Sequence, residues 1–103
     1  MIASVKSKLL PADLHAFFTK NALDPNHNLT PIDFSFSNNQ PKHQTLMNRQ
    51  LAARCIEMSE KKVSYVNQTH SSKVLFIGAP SSNLLQSADG MVTNVRGLGL
   101  GIL

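Results

Sequence analysis

An α+β fold is predicted by three features: one stretch with helical periodicity, several short runs of β-branched and aromatic residues, and turn-rich segments that separate them. The helical stretch is 44–58 and the extended runs are 15–20, 63–66, 74–77, 91–95 and 98–103. A single main helix among segregated strands points to a layered mixed sheet. The chain has 103 residues, a length that suits one small domain.

The first extended run, 15–20, contains the pair Phe17 and Phe18, which suits a buried strand. Residues 21–42 carry Pro25, Asn26, Asn28, Pro31, Asn38, Asn39 and Pro41, the chemistry of turns. Within them, residues 32–36 alternate and predict a short strand. In the helix, Met47, Leu51, Cys55 and Met58 fall four, four and three apart on one face, so these adaptable apolar side chains are expected to form the buried stripe. Arg49, Gln50, Arg54 and Glu57 would then face outward. Lys61 and Lys62 follow the helix, where cations oppose its negative pole.

Two short strands come next, 63–66 and 74–77, then a loop at 78–83 that Leu84 and Leu85 would pack down. Residues 91–95 and 98–103 are expected to be adjacent strands joined by a hairpin at 94–97. Gly97, Gly99 and Gly101 leave one face of the last strand without side chains, open to another backbone or a ligand.

Composition narrows the functional classes. Apolar residues make up 42% and charged residues 16%, which excludes a disordered tail or a long solvated helix. The net charge of +4 would fit phosphate groups, yet the ten Lys and Arg are scattered without interleaved aromatic residues, which disfavours nucleic acid. With Cys55 the sole cysteine, no internal disulfide forms and a reducing compartment is expected. No apolar run approaches the roughly 18–20 residues of a membrane span, and no secretory signal opens the chain, so a cytoplasmic location is expected.

The segment most suited to chemistry is 66–74, which carries His70 between two strands, where loops often hold functional groups. His27 and His43 have no metal-ligand spacing to another His or Cys and read as exposed histidines. Asp89 precedes Gly90, and its carboxylate would either hold a turn by accepting backbone N–H bonds or orient an imidazole from behind.

The order Asn67-Gln68-x-His70, then Ala88-Asp89-Gly90-x-Val92-Thr93, then the glycine-spaced strand 97–103 resembles the laccase-domain proteins. That multicopper-oxidase-like family is also described as polyphenol oxidases and purine nucleoside phosphorylases. Asn48-Arg49 is a further family-like pair, and Phe17-Phe18-Thr19-Lys20 is similar to the family's first strand, with Lys20 where an arginine is usual. The resemblance implies the amino-terminal portion of one domain over 1–103, an incomplete half of a larger layered α/β fold.

It also implies that His70 is one of three ligands to zinc, or to copper, with Asn67, Gln68 and Asp89 supporting it. The other two, a cysteine after the last strand and a later histidine, have no counterpart here, and Cys55 lies before the motif rather than after it. The implied activity of the complete protein is phosphorolysis of adenosine, inosine, guanosine and methylthioadenosine, with adenosine deamination. Purine nucleosides and phosphate are its partners, and the chain alone would be inactive. The alternative expectation is an interaction module that pairs through its exposed last strand, with itself or with a missing carboxyl-terminal part.

Overall fold

A computed structural model of the chain describes residues 2–23, 26, 29–36, 39–79 and 86–103. These form a mixed α+β structure with one main helix and open sheets, divided into two compact units, Met1–Glu57 and Met58–Leu103.

The first unit holds strands β1 (Ile2–Val5), β2 (Phe17–Leu23) and β3 (Leu29–Pro31) and helix α1 (Lys42–Arg54). The strands form an antiparallel sheet in the order β1-β2-β3, with Val5 opposite Phe17 and Leu23 opposite Leu29. β2 continues through 21–23, residues expected to belong to the turn-rich segment. Residues 32–36 do not form the expected strand. Their carbonyl groups bond to side chains of α1 instead.

That capture inverts the helix. Asn48 Nδ2 donates to Asp33 O at 2.8 Å, Arg49 Nε to Phe34 O at 2.7 Å, and Thr45 Oγ1 to Ser35 O at 3.0 Å. Thr45, Asn48, Arg49, Ala52 and Ala53 are the buried face, whereas Met47 and Leu51 are 56% and 44% exposed and Cys55 is exposed. Three of the four residues of the expected apolar stripe are therefore exposed, and the fourth, Met58, lies beyond the helix and is half-buried. Backbone carbonyls outside a sheet need donors when covered, and the polar face supplies them. The Arg49 guanidinium also lies 4.4 Å from the centre of the Phe36 ring, and the Phe18 and Phe34 rings are 5.6 Å apart. The helix stops at Arg54, earlier than its periodicity suggests. Three tight turns follow it, and Glu57 takes the left-handed backbone conformation (φ 55°) that no helix continues through.

The second unit begins with a 3-10 turn, Glu60–Lys62, capped by the Ser59 hydroxyl. It holds β4 (Val63–Tyr65), β5 (Val74–Phe76), β6 (Gly90–Val92) and β7 (Gly99–Gly101). β6 and β7 do not make the expected hairpin. β5 pairs with β6 and β4 with β7, both in parallel. Each late strand thus returns to an earlier one, as parallel pairing requires a long connection.

The glycine face of β7 is not bare. A methyl group at Gly101 would lie 2.8 Å from Cδ1 and Cζ of Tyr65, its register partner. One at Gly99 would lie 2.9 Å from the Met58 Sδ atom. The absent side chains make room for Tyr65 and Met58 of the same unit. At Gly99 and Gly101 the face expected to be open is therefore covered, whereas at Gly97, outside the strand and at φ 77°, nothing lies within 4 Å of an added methyl group. Among the described residues of this unit, Val63, Ser64, Val66, Ile77, Ala88 and Gly99 are buried.

Candidate functional site: a loop held on Asp89

The site is built on two chain segments that run side by side. Beyond β4, Asn67 pairs in parallel with Ser87: its N–H donates to Gln86 O at 2.9 Å, and its carbonyl accepts from Ala88 N at 3.0 Å. Ala88 is fully buried, which fixes the next residue, Asp89, at the start of β6. On the other segment the chain leaves Asn67, turns, and enters β5 at Val74, while Asp89 N donates to Lys73 O at 3.0 Å. The two ends of the turn are therefore tied to the segment that carries Asp89.

The carboxylate of Asp89 fills the turn. Oδ1 accepts the backbone N–H groups of Thr69 at 3.0 Å and His70 at 2.9 Å. Oδ2 accepts the backbone N–H of Ser71 at 2.5 Å, its hydroxyl at 2.6 Å and the Thr69 hydroxyl at 3.4 Å. Three successive amides converging on one anion form an anion-binding concavity, here occupied by the protein's own side chain. Hydrogen bonds to the charged form lower a carboxyl pKa. The Ser71 hydroxyl contributes most, then the Ser71, His70 and Thr69 amides, and together they hold Asp89 at about 2.

This geometry places His70 in the left-handed region, with φ 59°. Histidine tolerates that conformation better than most residues, but it persists only where the surroundings impose it. Asp89 reaches His70 through its backbone N–H, so it sets the conformation from which the imidazole projects. His70 is exposed, as are Asn67 and Gln68. Thr69 and Ser71, whose hydroxyls join the carboxylate, escape sequence reasoning because their partner lies about twenty residues away and no local spacing marks it.

Of the other histidines, His43 is exposed at the start of α1, and His27 lies outside the described residues, as do Leu84 and Leu85. Among the described residues no three His, Cys, Asp or Glu side chains converge to hold a metal ion. A catalytic zinc centre uses three protein ligands, so one imidazole does not make a complete centre. Nor, among these residues, is any helix long and apolar enough to cross a membrane.

The family model described as multi-copper polyphenol oxidoreductase laccase matches residues 14–103. No curated protein and no solved structure matches the chain. The expected zinc-dependent purine nucleoside phosphorylase with adenosine deaminase activity is overturned, because the matching family is described by phenol oxidation and the described residues gather no metal site. The same description displaces purine nucleosides and phosphate as partners. Among the described residues β7 pairs with β4 alone. With the match extending from residue 14 to the last residue, this chain belongs to the multi-copper polyphenol oxidoreductase laccase family.

Proposed function

We propose that the chain serves a laccase-type polyphenol oxidoreductase domain by presenting His70 as one imidazole donor to a zinc or copper ion. In this reading Asp89 holds the turn and Asn67 and Gln68 flank it. The family match supports the class of reaction, in which a phenol is the reductant and dioxygen the oxidant. One observation carries the role of His70: the Asp89 carboxylate gathers the amides of residues 69–71 and fixes the histidine backbone at positive φ.

Imidazole suits both ions. The described residues supply one donor, and the remaining donors must come from outside them or from another copy of the chain. We also read the chain as the amino-terminal portion of a single layered laccase domain.

The test is titration of the full chain with zinc and, separately, copper, followed through the His70 ring resonances. His70→Gly serves as the control, because glycine accepts positive φ and keeps the turn. Selective perturbation of His70 in the wild type, and loss of at least tenfold in affinity in the variant, are expected. An ion that leaves His70 untouched, or binds the variant equally well, refutes the assignment. Oxygen uptake with a diphenol by the metal-loaded chain tests the reaction class separately.

A further inference from the structure

The connection between β1 and β2, residues 6–16, closes around His15. The backbone N–H of Ser7 donates to His15 Nε2 at 2.7 Å, and His15 Nδ1 lies 2.7 Å from the carbonyl oxygen of Pro11. A backbone N–H can only donate and a carbonyl can only accept. Both bonds therefore exist together in just one form of the ring, the neutral imidazole with its proton on Nδ1. The same loop is tightened by Leu14 N donating to Pro11 O at 3.1 Å and Leu9 N to the Ser7 hydroxyl at 3.1 Å.

We propose that His15 is a proton-operated latch for this loop, closed when the ring is neutral and half-released when it is protonated. On protonation Nδ1 still donates to Pro11 O, but Nε2 gains a hydrogen that confronts the N–H of Ser7. That bond is lost, and the Ser7 end of the loop separates from the ring.

Among the described residues, the charged groups of this loop are Lys6, Lys8 and Asp13. The Lys6 ammonium donates to the backbone carbonyl of His15. Strand β1 has no charged residue, and Lys20 is the charged residue of β2. The neighbouring Phe17 ring meets the imidazole edge-on at 6.1 Å between centres. The latch acts in the first unit and is independent of the role proposed for His70.

The experiment is an NMR titration of the full chain. Ring nitrogen shifts are expected to report the Nδ1–H tautomer in the neutral state. The Ser7 amide should move with the His15 midpoint and lose roughly three- to tenfold of its exchange protection on protonation, the effect of one hydrogen bond. His15→Phe keeps a ring beside Phe17 and should leave the Ser7 amide unprotected and insensitive to pH. A neutral ring protonated on Nε2, or a Ser7 amide indifferent to the His15 titration, overturns the proposal. Both are read from the wild type, so they decide the matter even if the variant does not fold.

Discussion

Asp89 and Ser71, eighteen residues apart, meet through two bonds to one oxygen: Oδ2 accepts the Ser71 N–H at 2.5 Å and its hydroxyl at 2.6 Å. This pair closes a ring of donors that also includes the amides of Thr69 and His70. The anion and the turn depend on each other. Protonation turns one of the two accepting oxygens into an O–H donor and weakens the other as acceptor, and without the turn the carboxylate loses the donors that keep it ionised.

Because those donors favour the ionised form, the Asp89 pKa of about 2 lies below the ordinary carboxyl value near 3.9. Its contribution to stability is complete above that ordinary value and disappears as pH falls through about 2. A carboxyl-carbon titration should place the Asp89 midpoint near 2, with the amides of residues 69–71 shifting in step. Asp89→Asn should abolish that step and speed exchange at all three amides. A midpoint near 4 would show that the carboxylate does not hold the turn.

The backbone at His70 gives a second test, one that separates turn from imidazole. His70→Gly should retain the turn and its amide protection while removing the donor. His70→Val forces a β-branched residue into left-handed backbone and should cost about 1–2 kcal/mol in denaturant unfolding. Equal stability of the two variants would contradict the positive φ.

The glycine spacing of β7 yields a third. A methyl group at Gly101 meets ring atoms of Tyr65, a rigid side chain, and Gly101→Ala should destabilise by about 1–3 kcal/mol. At Gly99 the nearest atom belongs to Met58, which can swing aside, although Val63 Cγ2 is also only 3.1 Å away. Gly99→Ala should therefore cost less. Combining Gly101→Ala with Tyr65→Ser should recover part of the loss, a coupling visible in a double-mutant cycle. Additive losses would mean that Tyr65 does not fill that space.

The sequence foretells the presence of α1, the extended character of Phe17–Phe18 and of both segments flanking His70, and the turn-forming value of Asp89. These are local properties of periodicity and side-chain type. Partner choice is not local. The glycines of β7 mark close approach, but only the parallel register reveals that Tyr65 and Met58 make it. Residues 94–97 look like a hairpin turn, yet β6 and β7 each pair with an earlier strand. Likewise, nothing near Ser71 in sequence announces a carboxylate eighteen residues away.

The helix shows the same limit most sharply, and its inverted face is open to direct test. Met47 and Leu51 have the spacing of a core stripe, but the buried side chains are Thr45, Asn48 and Arg49, bonded to carbonyls of residues 33–35. A stripe model makes Met47→Lys and Leu51→Gln damaging and Asn48→Leu harmless. The structure requires the opposite. Asn48→Leu strands the carbonyl of Asp33 and should cost about 1–3 kcal/mol, and Arg49→Met, which removes a charged donor from Phe34 O, about 2–3 kcal/mol. The two exposed apolar positions should tolerate their substitutions within about 0.5 kcal/mol. Urea unfolding of the four single variants distinguishes the faces, and a larger loss at Met47 or Leu51 than at Asn48 or Arg49 would reject the polar capture of residues 33–35.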